Sequence, residues 1–164
     1  MPLPWTSRPT EVANLLNPAF CSLLLREAVL GYLKEHAQGM PYAVSFLVLP
    51  IVLHKATRDT FPASISTKLH AWLQENQVTR VGLSSRARGL VPYSREALIY
   101  SLSSSLLSVS RDGRLVPAKG KVKLPKWDKD SEVTTCVKKA YFLGRWFARS
   151  GDTTTVFGFL GVVP

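Results

Sequence analysis

The sequence has few of the residues from which active sites and metal sites are built. It contains three histidines and two cysteines among 164 residues, and His36, His54 and His70 do not lie at metal-ligand spacing. Its 11 acidic residues are scattered, so no pair is placed for two-carboxylate or two-metal chemistry. Its glycines form no phosphate-binding P-loop. We therefore expect a protein that is not an enzyme, with no catalytic residues, no metal site and no cofactor.

The two cysteines are too few for a disulfide framework. Cys21 and Cys136 each lie in an apolar helical pattern, which is typical of buried, reduced thiols in a cytoplasmic protein. A nucleophilic role for Cys136 is disfavoured because an apolar setting raises the pKa of a thiol. His54 follows the most apolar run of the chain, so it is the histidine whose pKa we expect burial to shift.

No apolar run is long enough to cross a membrane. The most apolar run, residues 40–53, contains two prolines, and it is shorter than the roughly 20 apolar residues that a helical span needs. The first residues, MPLPWTSRP, lack the charged and apolar regions of a signal peptide. We expect a cytoplasmic protein in which the apolar run belongs to the core.

Positive charge is abundant and unevenly distributed. Lysine and arginine together number 21, against 11 aspartates and glutamates. Residues 1–82 carry 7 basic and 5 acidic side chains, whereas residues 83–164 carry 14 and 6. The basic second half favours nucleic acid or an acidic protein as a partner, and it does not choose between them.

The apolar periodicity predicts a mainly α (α+β) fold, with one helical domain over residues 1–164. Residues 42–54 fit a buried helix or a buried strand, and their length and flanking helices favour a helix kinked at Pro50. An arm (1–9), a lysine-rich loop (118–130) and an apolar C-terminal tail (153–164) complete the domain. Helices are predicted at residues 10–16, 18–38, 65–73, 77–90, 95–102 and 132–150, with Thr10, Asn17, Ser64, Ser94 and Ser131 as caps.

A β-hairpin is predicted between the central helices and the lysine-rich loop. Short apolar runs at 106–109 and 114–117 flank the sequence Ser-Arg-Asp-Gly, in which glycine tolerates the positive φ of a tight turn. Helices followed by a hairpin are the order of a winged helix. The hairpin therefore makes the predicted fold winged-helix-like.

Two groups of residues are candidates for binding. The first is aromatic and arginine-rich, the composition that protein interfaces favour at their centres. We predict that it binds a partner: Trp5, Arg8, Arg145, Trp146, Arg149, Phe157 and Phe159. The second group is basic and flanks or follows the wing turn, so it is suited to phosphates. We predict that it binds nucleic acid, with a solvated loop as the alternative: Arg111, Arg114, Lys119, Lys121, Lys123 and Lys126.

Several segments together resemble a known family. They include RPTEVANLLNPAFCSLLL, MPYAVSFLVLPIVLHKATRDTFP, LVPYSREAL and the closing KKAYFLGRWFARSGDTTTVFGFLGVVP. In number and order they are similar to the middle-component family of bacterial three-component ABC systems, which include, or are related to, Lamassu-type anti-phage defence. The resemblance covers nearly the whole chain, and its motifs carry no catalytic signature.

The resemblance implies an accessory subunit encoded with an SMC- or Rad50-like ABC ATPase, which would act as a dimer, and with an effector protein such as a nuclease. The subunit would bridge the two until phage or plasmid DNA is sensed. The alternative is a winged-helix DNA-binding protein, acting as a regulator or as the part of the complex that clamps double-stranded DNA. A small enzyme of unfamiliar type would need a deep pocket around His54 or Cys136 with a charged partner.

Overall fold

The protein is helical, with one small antiparallel sheet, as the sequence predicts. The computed structural model describes residues 3–164, so Met1 and Pro2 of the predicted arm lie outside the described residues. Short 3-10 turns occur at Trp5–Ser7, Tyr42–Leu47 and Gln77–Arg80. The helices are α1 (Thr10–Leu15), α2 (Pro18–Glu35), α3 (Val48–Val52), α4 (Lys55–Arg58), α5 (Leu69–Glu75), α6 (Leu83–Ser103), α7 (Glu132–Ala148) and α8 (Thr153–Leu160). The strands are β1 (Met40–Pro41), β2 (Leu107–Val109) and β3 (Arg114–Pro117).

Helices α2 and α7 cross in the centre of the core at very close range. A Cβ atom placed on Gly144 of α7 would collide with the carbonyl oxygen of Ala28 on α2 and lie 2.9 Å from its Cα. A Cβ atom on Gly31 would likewise collide with the carbonyl oxygen of Tyr141. Because neither glycine has a side chain, the two backbones touch directly. Helix axes usually lie about 8–10 Å apart when side chains separate them.

The ends of these two helices are defined by local hydrogen bonds. The Asn17 side chain accepts hydrogen bonds from the backbone amides of Ala19 (2.9 Å) and Phe20 (3.4 Å), which confirms it as the cap of α2. The Ser131 hydroxyl accepts one from the amide of Thr134 at 3.2 Å, which confirms the predicted cap of α7.

Three other predicted caps are wrong. Thr10 is the first helical residue of α1, which follows Pro9. Ser64 belongs to a turn, and α5 begins only at Leu69. Ser94 lies buried in the middle of α6, because residues 83–90 of the first predicted helix and the whole of the second, 95–102, belong to one helix; residues 77–80 form a separate 3-10 turn.

Helix α6 continues through Pro92, which lies in the gap between the two predicted helices. Pro92 removes one backbone donor and leaves the carbonyl oxygen of Arg88 without its helical partner. Arg88 is exposed, so water can satisfy this carbonyl group. Packing of the buried Leu83, Ala97 and Leu98 against the core then keeps the helix continuous.

Two further predictions are corrected in detail. Residues 42–54 form a 3-10 turn followed by the short helix α3, and Pro50 lies in the first turn of α3 rather than at a kink. The predicted apolar tail contains α8, whose first turn is capped by the Asp152 side chain, an acceptor for the amide of Thr155 at 2.8 Å. Packing against the body stabilises this short helix, since Val156 and Leu160 are buried.

The hairpin is confirmed, and the structure adds a strand that the sequence analysis missed. Strand β3 lies between β2 and β1, with Val109 and Met40 both paired to Leu115 in antiparallel register. The turn residue Gly113 has a φ of +79°, as the predicted turn requires. A strand between the first helices and a hairpin after the long helix α6 agree with the predicted winged-helix-like order.

The N-terminal arm folds back onto α6, where the buried guanidinium of Arg8 lies 2.7 Å from the Glu96 carboxylate. Among the described helices, none combines the length and the apolar composition needed to span a bilayer.

The glycine crossing gives the first testable prediction. We expect Gly144→Ala to lower the free energy of unfolding by about 3 kcal/mol, since overpacking costs roughly 1–3 kcal/mol and here the clash is with backbone. Gly89→Ala on α6 is the matched control: no atom would lie within 4 Å of its Cβ, so we expect a gain of about 0.5–1 kcal/mol. Urea denaturation measures both. Equal stability of the two variants would contradict the crossing.

Candidate partner-binding surfaces

An apolar depression beside α6 has a volume of about 340 Å³, and we call it the α6 groove. Its walls are the 3-10 turn at 42–47, the outer face of α6, and the chain at and after α8. Apolar side chains predominate, and two arginines lie on the α6 side. The lining residues are Tyr42, Ala43, Phe46, Leu47, Ser84, Ala87, Arg88, Val91, Arg95, Phe157, Val162, Val163 and Pro164.

A second depression, which we call the α8 cleft, lies between α5, the turn at 77–81 and α8. Val81, at its edge, is 72% exposed, and Phe159 lies against His70 with the two ring centres 5.7 Å apart. The cleft is lined by His70, Leu73, Gln74, Gln77, Arg80, Val81, Gly158, Phe159, Leu160 and Gly161.

Helix α8 separates the two depressions. Phe157 lines the α6 groove and Phe159 lines the α8 cleft. Two residues along an α-helix correspond to a rotation of about 200° at 3.6 residues per turn. The two phenylalanines therefore point to nearly opposite sides of α8, and the chain offers two distinct apolar surfaces.

The predicted partner-binding residues of the arm are used mainly inside the chain. The Arg8 guanidinium donates hydrogen bonds to the Leu3 carbonyl oxygen and to Glu96, both at 2.7 Å. It also lies between two rings, 5.5 Å from the centre of Trp5 and 5.6 Å from that of Tyr93. Arg8 thus anchors the arm to α6, whereas the Trp5 ring keeps an exposed face.

Arg145 and Arg149 lie on one face of α7, as their spacing predicts, and the carboxylate they bind belongs to this chain. Both approach Glu35 at the end of α2, Arg145 at 2.5 Å and Arg149 at 3.6 Å. These contacts fasten the C-terminal ends of α2 and α7 together. Arg149 remains exposed and borders a small polar depression beside Phe159.

Trp146 and Phe157 are core residues, and this corrects their predicted place at the surface. Trp146 is 1% exposed and donates a hydrogen bond from its indole nitrogen to the Thr67 carbonyl oxygen at 2.6 Å. Its ring also packs against those of Phe61 and Trp72. We therefore leave Trp146 out of the partner surface, and we assign Phe157 only to the floor of the α6 groove.

The basic residues predicted to bind nucleic acid are more accessible. Arg111 at the wing turn is exposed, and so are the lysines of the lysine-rich loop at positions 119, 121, 123 and 126. Arg114 is engaged within the chain instead: it lies 3.5 Å from Asp112 and donates a hydrogen bond to the Gly39 carbonyl oxygen at 3.1 Å. Arg114 therefore supports the sheet, and its role in binding phosphate stays a prediction.

The residues considered for catalysis occupy structural positions. His54 accepts a hydrogen bond from the Thr57 amide (3.3 Å) through Nδ1, which lies 2.7 Å from the Thr57 hydroxyl, so it caps α4. Burial, Arg86 and Arg58 lower the pKa of His54. Burial raises the pKa of the Cys21 thiol to about 12 and also raises that of Cys136. Both thiols are free and buried, as predicted.

His54 and Cys136 each border a depression of the surface. The depression beside His54 is lined by polar uncharged side chains, by Ala56 and Val78, and by Glu75. Cys136 lines a groove with Arg58 and Glu132, which pair with each other at 2.6 Å. Within residues 3–164 no group of three or more histidine, cysteine or carboxylate side chains is placed to hold a metal.

The sequence-based predictions do not include the α6 groove. Arg95 occurs in a segment that resembles the family, but one predicted helix ends at residue 90 and the next begins at residue 95, so the predictions place Arg88 and Arg95 in different helices. A continuous helix places them seven residues apart on one face. The sequence signal that would place both arginines on one helix is the i, i+4, i+7 spacing, which continues from Ser84 to Leu102 on both sides of Pro92.

Acidification is expected to weaken the cap at His54. The pKa of His54 is below its usual value of about 6.5 in the folded chain, so the unfolded chain binds more protons between the two pKa values. Stability from neutral His54 is therefore present above about pH 6.5 and is lost as the pH falls. Thermal melts of the wild type, of His54→Asn and of the control His36→Asn measure this. A pH dependence of the same size in His54→Asn would contradict the assignment.

Comparison with known proteins identifies the family of the chain but no individual relative. No curated protein and no solved structure is significantly similar to this chain. The sequence model of the ABC-three component (ABC-3C) system Middle Component 3 family matches residues 5–164, which include every helix and strand described above. The chain belongs to this family of middle components.

Proposed function

We propose that the protein is a non-catalytic adaptor that holds two other components of an ABC-three component system together. The observation that carries the proposal is the family match over residues 5–164, since a middle component implies partner proteins. The partners we propose are an SMC- or Rad50-like ABC ATPase and an effector such as a nuclease. The biological role we propose is defence against phage or plasmid DNA in the cytoplasm.

The two apolar surfaces support a bridging role. A bridge must bind two partners at the same time, so it needs two surfaces that do not overlap. The α6 groove and the α8 cleft meet this requirement because α8 lies between them. Each surface also exposes large apolar side chains that a free monomer would normally bury, such as Tyr42 at the groove and Val81 at the cleft.

The arrangement of Arg145, Arg149 and Glu35 contributes indirectly. These residues stabilise the end of the α2–α7 pair, from which α8 and its two phenylalanines continue. Of the predicted partner-binding residues, we propose Trp5, Arg149 and Phe159 as direct contacts, because each retains accessible surface. We propose that Arg8 positions Trp5 by anchoring the arm, and that Arg145 positions Arg149 and Phe159 by fastening the end of α7.

Binding of duplex DNA is a second candidate function, favoured by the wing and the lysine-rich loop. Arg111 is exposed at the turn after β2, and lysines at alternate positions follow β3. Exposed lysine and arginine side chains bind phosphates without reading the base sequence. The two functions are compatible if the adaptor clamps DNA inside the assembly.

Co-purification tests the adaptor. We expect the tagged chain, co-expressed with the two components encoded beside it, to recover both. Val81→Asp at the α8 cleft should release one component and retain the other, because a buried unpaired carboxylate is costly at an apolar contact. Val109→Asp, on β2, is the matched control, since Val109 is also exposed. A wild-type chain that elutes alone in mild salt would show the adaptor proposal to be wrong.

Salt dependence tests the DNA candidate. The logarithm of the binding constant for a short duplex should fall linearly with the logarithm of salt concentration, with a slope of about −0.9 for each phosphate contact. Arg111→Ala combined with Lys121→Ala should reduce the slope by about 2. Arg88→Ala, in the α6 groove, is the control and should leave the slope unchanged. No binding at low salt, or an unchanged slope in the double variant, would exclude this role.

A further inference from the structure

The outer face of α6 carries a continuous stripe of exposed or half-buried side chains. Its members recur every three or four residues, the spacing that places side chains on one face of a helix. Ile99 extends the stripe beyond the groove and is 67% exposed. The stripe consists of Ser84, Arg88, Val91, Arg95, Ile99 and Leu102.

The charged side chains that border this groove have one sign. Arg88 and Arg95 border the α6 groove, and the residues that line the groove include no aspartate or glutamate. Within residues 3–164, neither arginine forms an ion pair, although Arg8, Arg58, Arg114, Arg145 and Arg149 all do. The two guanidinium groups are therefore free to bind carboxylates supplied from outside.

The apolar content of the stripe argues for a protein partner rather than for DNA. α6 precedes the hairpin, so it holds the place that the DNA-reading helix has in a winged-helix protein. A helix that reads DNA presents polar and basic side chains to base edges and phosphates. Here Val91 and Ile99 alternate with the arginines, and Tyr42 and Phe46 form an edge-to-face pair on the wall made by the 3-10 turn, with ring centres 5.3 Å apart.

The dimensions of the stripe fit a helix. From Ser84 to Leu102 the stripe extends roughly 27 Å at 1.5 Å per residue, which corresponds to about five turns. The walls of the groove are helices, a 3-10 turn and the irregular segment after α8, and no strand of the described chain lines it. An extended peptide therefore has no strand edge to pair with here, whereas an amphipathic helix can lie along the groove with its apolar face inward.

We propose that the α6 groove binds an acidic amphipathic helix of one partner component of the system. The apolar side chains of that helix recur at i, i+4 and i+7 and pack against Tyr42, Phe46 and Val91. Glutamates or aspartates on its flanks bind Arg88 and Arg95. This inference rests on the proposed adaptor function. It specifies the chemistry by which the adaptor binds one of its two partner components.

Charge reversal tests the groove in the assembled complex. The chain is co-expressed with the two neighbouring components. The affinity of each purified component for the chain is then measured by biolayer interferometry. Arg88→Glu with Arg95→Glu is expected to weaken the binding of one component at least about tenfold, and Ile99→Ser to weaken the same component. Lys34→Glu with Lys138→Glu, at two exposed lysines outside the groove, is the matched control of equal charge change. Thermal melting checks that each variant folds.

Hydrogen exchange locates the contact independently of the variants. Backbone amides of residues 42–47 and 84–102 are expected to gain protection in the wild-type complex. In the partner, a segment with acidic residues should gain protection, and replacing its acidic residues by arginine should restore binding to the charge-reversed chain.

The possible results separate the groove from the adaptor. If the wild type recovers both components and the groove variants bind them unchanged, the groove proposal is overturned while the adaptor stands. If the wild type recovers neither component, the adaptor is wrong and the groove proposal falls with it. If the charge-reversed chain loses a short duplex DNA at low salt but keeps both proteins, α6 binds DNA and the groove proposal is overturned.

Discussion

The backbone contact between α2 and α7 is the constraint on which the rest of the structure depends. Gly31 and Gly144 each lie against a carbonyl group of the opposite helix, so the pair crosses without intervening side chains. This contact fixes the direction in which α7 leaves the core. The crossing thereby places Trp146 in the core, against Phe61 and Trp72, and it places α8 at the surface between the two depressions.

Charged contacts hold the segments that leave this crossing. Glu35 binds the two arginines at the end of α7, the buried Arg58 binds Glu132 at its start, and the buried Arg8 fastens the arm to α6. Each pair joins residues far apart in sequence and includes at least one side chain shielded from water. If the carboxylate partner of a buried arginine is removed, the charge of the guanidinium group is left uncompensated. These contacts are therefore important for the conformation.

The internal contacts also explain which arginines remain for binding. Arg8 and Arg145 are engaged with carboxylates of the same chain, so the positive surface is concentrated on α6, the wing turn and the lysine-rich loop. The α6 arginines border a groove of mainly apolar side chains, whereas the loop lysines line none of the depressions described above. The two basic regions therefore suit different partners, an acidic protein segment in the first case and phosphates in the second.

Local chemistry let the sequence alone determine several features: the caps Asn17 and Ser131, the Asp-Gly hairpin turn, the lysine-rich loop and the burial of both cysteines. Only the tertiary structure decided that α6 continues through Pro92, because burial of its inner face outweighs one missing hydrogen bond. Only the tertiary structure also decided which aromatic residues are accessible. Trp146 and Phe159 are alike as interface residues in the sequence, but Trp146 is buried in the core, whereas Phe159 is only partly buried and lines the α8 cleft. Burial depends on contacts between distant segments, which no local pattern contains.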